Sequence, residues 1–186
     1  MELIRTPLDG CFVVKPSVFK DSRGYFFESF NERKFNELSG LNVHFVQDNQ
    51  SLSSYGVLRG LHFQKGEYAQ AKLVRVIRGK VLDVAVDLRP DSPTFGQYHS
   101  VVLSDDNQLQ FFVPRGFAHG FAVLSAEAEF FYKCDNYYNR SSEDGILFND
   151  PELGIDWEIP LADILLSEKD EQNKTLSEYR NHSQYV

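Results

Sequence analysis

The stretch Lys80 to Leu88 reads Lys-Val-Leu-Asp-Val-Ala-Val-Asp-Leu, and its strict two-residue alternation constrains the fold more than any other segment. On an extended strand Leu82, Val84, Val86 and Leu88 share one face, with Asp83 and Asp87 on the other. It follows Lys72 to Ile77 across Arg78-Gly79, where glycine supplies the positive φ of a tight hairpin. An antiparallel pair is therefore expected there. Further strands are expected over 43–47, 98–103, 109–113, 120–124 and 128–133, with Asp105-Asp106-Asn107 as a turn. So many short strands, in a chain with 16 Phe and 9 Tyr, imply a β-sandwich or barrel. Helix is scarce: Asn31 is expected to cap one through Leu38, ending near Gly40. The segment from Ser167 onward is polar, either helical or loose.

At 186 residues and 42% hydrophobic content, one domain spanning 1–186 is expected, its tail from about 171 peripheral. The 19 basic and 27 acidic residues give a net charge of −8, which argues against a general attraction to nucleic acid or an anionic membrane. Any anion must be held by local arginines and lysines. Cys11 and Cys134 lie in no metal-ligand spacing and read as free thiols of a reducing cytoplasm. The start lacks a signal-peptide pattern and no run approaches transmembrane length, so a soluble, cytoplasmic protein is expected.

Two glycine-punctuated segments carry the chemistry: Arg59-Gly60-Leu61-His62-Phe63-Gln64 and Pro114-Arg115-Gly116-Phe117-Ala118-His119. Each sets an imidazole near a permanent cation, a combination suited to proton chemistry on an anionic ligand. Strict alternation puts Arg59 and His62 on opposite strand faces, so joint service in one pocket requires a bulge, with Gly60 its natural place. The Pro-x-Gly-x-x-His spacing at Pro114, Gly116 and His119 resembles the second signature of the cupin barrel. The first is half present, because Gln64 stands where metal-binding cupins have their second histidine. Two imidazoles and an amide make a poor first-row metal site, so neither metal nor cofactor is expected. Lys72 precedes Val74 and Val76 on one strand face, and Tyr132 follows Ala128 and Phe130 on another. From the residues alone, a solvated lysine and a barrel-wall aromatic remain open readings.

Longer stretches widen the resemblance: Asp21 to Ser29, Phe45 to Asn49, Val57 to Gln64, Gly116 to Phe121, Tyr132-Lys133, Asn136 to Tyr138, Gly154 to Trp157, and Leu166 to Asp170. In these, across Arg5 to about Asp170, the chain resembles the dTDP-4-dehydrorhamnose 3,5-epimerases. The resemblance implies a cupin-type antiparallel β-barrel, or jelly roll, with a few short helices. It implies inversion of C3 and C5 of a dTDP-4-keto-6-deoxyhexose on the route to dTDP-L-rhamnose. His62 then matches the base, Asp170 its carboxylate partner and Tyr132 the proton donor, while Lys72 is suited to neutralise the enolate oxygen. Arg23, Glu28, Gln47, Asp48, Asn49, Arg59, His119, Glu143 and Lys169 match positions holding the nucleotide sugar, and Tyr138 is placed to stack on the base. The family is homodimeric with exchanged N-terminal strands, and the aromatics Tyr25, Phe26 and Phe27 are consistent with such a contact. Three other readings stay open: a relative inverting one carbon only, a catalytically silent sugar-nucleotide binding module, and a metal-dependent cupin that Gln64 argues against.

Overall fold

Strands that alternate apolar and polar residues need a second layer, and two antiparallel sheets supply it to each other. The computed structural model describes residues 1–183. Strands β1 (Glu2–Arg5), β2 (Phe12–Lys15), β3 (Phe19–Asp21) and β4 (Gly24–Phe26) precede helix α1 (Glu32–Ser39). Then follow β5 (Gln47–Ser54), β6 (Leu58–Gln64), β7 (Lys72–Arg78), β8 (Lys80–Asp87), β9 (Tyr98–Ser104), β10 (Gln110–Val113), β11 (Phe117–Val123), β12 (Glu127–Cys134) and β13 (Glu143–Gly145). Helices α2 (Glu168–Glu171) and α3 (Leu176–Ser183) come last. One sheet runs β1-β2-β10-β7-β12-β5, the other β13-β6-β11-β8-β9, and β3-β4 is a separate hairpin.

Three apolar layers result. Val74, Val76, Phe111 and Phe130 of the first sheet meet Val81, Ala85 and Phe121 of the second in the barrel interior. Behind the second sheet, Leu82, Val84 and Val86 are covered by Ile146, Leu153, Trp157 and Leu176 from the returning C-terminal segment. Behind the first, Phe35 of α1 packs on Leu73 and Phe112. That helix is capped as its sequence requires: Asn31 Oδ1 accepts from the Lys34 N–H at 3.1 Å, and Gly40 ends it at φ 71°. No described helix is long and apolar enough to cross a membrane.

Two expectations are corrected. Strands β7 and β8 do not pair: β7 bonds to β10 and β12, β8 to β11 and β9. Gly79, at φ 84°, turns the chain from one sheet into the other, where a Cβ would lie 2.2 Å from the Glu127 carbonyl oxygen. Alternation fixes which face of a strand is buried, not which neighbour it bonds. The strand expected over 43–47 instead runs Gln47–Ser54; Val43 and Phe45 pack as loop residues beside α1.

Asp87, fully buried at the end of β8, accepts from Arg89 Nη2 at 2.7 Å, Ser92 Oγ at 2.5 Å and Thr94 Oγ1 at 2.7 Å. Burial pushes its carboxyl up, but these bonds outweigh it and hold the group at about 2. Because the folded value lies below the unfolded one, the stabilisation is present above about pH 4 and lost as pH falls toward 2. Asp87→Asn should therefore cost about 2 kcal/mol at neutral pH by urea unfolding, and the gap from wild type should shrink as the pH is lowered through that window.

Candidate active site

A cavity of about 570 Å³ opens between the two sheets. The first sheet contributes Asn49 and Ser51 from β5, Lys72 from β7, and Phe130 and Tyr132 from β12. The second contributes Arg59 and His62 from β6 and His119 and Phe121 from β11; Leu165, Ser167, Lys169 and Asp170 close one side.

Strand β6 brings its two functional residues to one face by a bulge. His62 stands opposite His119, yet Arg59 stands opposite Phe121, so three residues of β6 span two of β11. Gly60 lies in this step at φ 144°, a backbone region that side chains disfavour. Gly120 faces it, and a Cβ on Gly120 would lie 2.7 Å from the Arg59 carbonyl oxygen.

Both histidines are taken up by carboxylates. His62 Nε2 hydrogen bonds to Asp170 Oδ1 in a very short contact. Burial pushes the Asp170 carboxyl up, but the bond and charge of His62 and the Ser167 hydroxyl outweigh it, holding the group below the ordinary value. An ionised Asp170 assigns the hydrogen to Nε2, leaving Nδ1 with the lone pair. His119 Nε2 lies 2.9 and 3.0 Å from the two oxygens of Asp83, which is buried completely. Burial raises the Asp83 carboxyl and lowers the Lys72 ammonium, while His119 and Lys72 pull Asp83 back and Asp83 holds Lys72 up. Tyr132 is on the opposite wall from His62, with Lys72 Nζ 5.9 Å from its ring centre. Burial, with smaller contributions from Cys134 and Glu143 and opposition from Arg59, pushes the Tyr132 phenol up to about 12.

The remaining candidates divide by place. Arg59 Nε donates to Ser53 Oγ at 3.1 Å. Gln47 accepts from the Tyr138 N–H at 3.0 Å and donates to Asn49 at 3.2 Å, and Glu143 joins Tyr138 (2.8 Å) to Lys169 (2.5 Å) at the rim. Gln47, Tyr138 and Glu143 border the cavity without lining it, and Asp48, Arg23 and Glu28 do not line it either. Alternation along β5 turns Asp48 outward onto Lys133 at 2.9 Å, against its expected place among the sugar-binding side chains. Arg23 pairs with Asp21 on the exposed β3–β4 hairpin, and Glu28 pairs with Lys34. Arg115, noted beside His119 in the sequence, is bonded to Asp135 outside the cavity. Gln64 accepts from the Asn139 N–H at 3.0 Å, and among the described residues no set of three or more His, Cys, Asp or Glu converges as metal ligands would.

Sequence reasoning missed Asp83, Ser51, Ser53 and Ser167. Asp83 carried a signal, a carboxylate between Leu82 and Val84 in a strand buried on both faces; the serines carried none.

Two antiparallel sheets closed around a polar pocket, with titratable side chains projecting from both walls, define a cupin-type barrel. A model of the family described as dTDP-4-dehydrorhamnose 3,5-epimerase matches residues 5–178, and the chain belongs to that family. The dTDP-4-dehydrorhamnose 3,5-epimerase of Escherichia coli is 53% identical over 178 residues, covering 96% of each chain. The crystal structure of the Elizabethkingia anophelis enzyme superposes at TM-score 0.93 with 61% identity, covering 96% of this chain and 97% of that one. A Legionella pneumophila dTDP-6-deoxy-D-glucose-3,5-epimerase in complex with dTDP-4-keto-L-rhamnose gives TM-score 0.91 at 49% identity, covering 95% and 93%.

The raised Tyr132 phenol is open to direct titration. An ultraviolet difference titration of wild type against Tyr132→Phe should show no tyrosinate from this residue below about pH 11. Ionisation near pH 10 would contradict the burial argument.

Proposed function

We propose that this protein inverts C3 and C5 of dTDP-4-dehydro-6-deoxy-D-glucose, giving dTDP-4-dehydro-L-rhamnose, with its own side chains as acid and base and without a cofactor. One observation carries the reading: His62 and Tyr132 project from facing sheets into one cavity, with Lys72 and His119 beside them. Inversion beside a ketone needs that layout, because a proton leaves one face of a carbon and another arrives on the opposite face.

His62 Nδ1 takes the proton, and the C–H electron pair passes into the enolate of the 4-keto group. Asp170 orients the ring and stabilises the imidazolium as it forms. Lys72 and His119 hold the negative charge on the enolate oxygen. Asp83 fixes the His119 ring. The Tyr132 phenol, kept protonated by burial, gives its proton to the other face and is reprotonated from solvent, while the His62 imidazolium releases its proton to solvent before the second inversion. Since both carbons flank one ketone, one set of groups serves both in turn.

Arg59 suits the diphosphate through its planar fork of donors, and Tyr138, half exposed at the rim, offers a face for the thymine. Gln47, Asn49, Glu143 and Lys169 surround the nucleotide end. Arg23 and Glu28 join the site in a homodimer, in which a second copy covers the exposed Phe19, Tyr25 and Phe26 and receives Arg23 at its own pocket mouth. The free thiols of Cys11 and Cys134 are in keeping with work in a reducing cytoplasm.

Incubation with substrate in deuterium oxide should place deuterium at both C3 and C5. His62→Ala should reduce that incorporation by at least ~100-fold. Undiminished exchange would sink the assignment of the base, and deuterium at one carbon only would make the protein a mono-epimerase.

A further inference from the structure

Asp170, on the preceding reading the carboxylate that serves the base, sits on a helix of four residues. A helix that short has little stability of its own, so its position is set by what holds the chain on either side. Upstream, Leu165 bonds to the strand that leads into β6, its N–H to Gly56 at 2.9 Å and its carbonyl to the Leu58 N–H at 3.0 Å. Downstream, the Lys174 carbonyl accepts from the Leu147 N–H at 2.9 Å, and Lys174 Nζ reaches Asp144 on β13 at 2.8 Å.

Between these anchors lies Asn173, and its side chain rests directly on Gly145. A Cβ built on Gly145 would lie 2.3 Å from Asn173 Oδ1 and 2.5 Å from its Cγ. Gly145 is not in the left-handed region, so it is space, and not φ, that demands glycine here. In register, Gly145 stands opposite His62. Asn173 Nδ2 also donates to the Gly60 carbonyl at 3.5 Å, on the bulge that turns Arg59 and His62 together. The residue three positions after Asp170 is thus seated on the strand neighbour of its imidazole partner.

We infer that Asn173, seated on Gly145, is a positioning residue that sets Asp170 against His62 by fixing how closely the α2 segment approaches β13. It touches no reacting atom in the proposed chemistry. Removing the side chain loosens the segment, and adding a methyl to Gly145 pushes it away.

Gly145→Ala should lower kcat by ~10-fold or more while KM and dTDP affinity stay within about twofold, since misplacement of a catalytic group by a fraction of an ångström acts on the chemical step. Asn173→Ala should cost ~3-fold, and the double variant should be no slower than Asn173→Ala alone, because the three atoms nearest the added methyl, Asn173 Oδ1, Cγ and Nδ2, are then gone. The imidazole 15N signals of His62 read its bond to Asp170 without turnover: Gly145→Ala should weaken the Nε2–H form and the double variant should restore it. An inactive wild type would overturn the epimerase reading and leave these signals to decide the positioning role. Additive losses, an equal fall in dTDP affinity, or unchanged His62 signals in Gly145→Ala would overturn the inference. Should Gly145→Ala fail to fold, Asn173→Ala decides, and wild-type kcat with unchanged His62 signals would overturn it.

Discussion

The site depends on the close approach of two glycines on neighbouring strands. A Cβ on Gly60 would lie 2.6 Å from Gly120 Cα, and one on Gly120 would lie 2.7 Å from the Arg59 carbonyl oxygen, so neither strand tolerates a side chain here. That contact permits the bulge in β6, and the bulge moves Arg59 onto the face that His62 already occupies. Without it the alternation of the strand would send one of the two into the apolar layer packed by Leu58 and Leu61. One irregularity in backbone pairing thus decides whether cation and imidazole share a cavity.

The second constraint is electrostatic. The barrel interior is apolar toward Val76, Val81 and Phe111 but carries Lys72, Asp83, His119 and Tyr132 along one stretch. Burial disfavours the charged forms of three of these groups, raising Asp83 and Tyr132 and lowering Lys72. Asp83 and His119 satisfy each other by hydrogen bonding, and no described buried side-chain N or O atom lacks a partner. The same low polarity that makes them costly to hold strengthens their pull on charge developing in a bound ligand. Stability and chemistry therefore draw on one arrangement.

Legibility in the sequence followed burial pattern. Alternating apolar strands such as β8 and β12 could be read directly, as could the Asn31 and Gly40 caps of α1, because each is a local rule. Strand β5 could not: its inward residues Gln47, Asn49, Ser51 and Ser53 are polar, Asn49 and Ser51 lining the cavity, so the segment lacks the apolar period that marks a strand. Pairing was equally hidden. Gly79 carries a turn signal whether it folds a hairpin or passes the chain between sheets, and only the far neighbours β10 and β11 decide which. Within the site, the bulge at Gly60 was readable from the conflict between alternation and shared use, whereas the outward turn of Asp48 was masked by motif similarity that does not resolve faces.

The distances in sequence have a physical consequence. His62 and Asp170 are separated by 108 positions and meet only after the chain has completed both sheets and returned across the back of the second. That return is held by burial of Trp157 and Leu176 and by Asp150, whose carboxylate accepts from the Leu176 N–H at 2.7 Å. The barrel walls that carry His62, Lys72 and Tyr132 are fixed by continuous sheet hydrogen bonds, whereas Asp170 sits on a returning segment tied to the sheet at a few points, among them Leu165 to Leu58 and Lys174 to Asp144. The outer layer has fewer backbone ladders and so opens at lower free energy than the sheets. Local loosening there would separate the imidazole from its carboxylate and open that side of the cavity, while Arg59 and the facing Tyr132 stay in place. The pairing of His62 with Asp170 is therefore the most conditional element of the site, because it depends on the packing of the C-terminal segment.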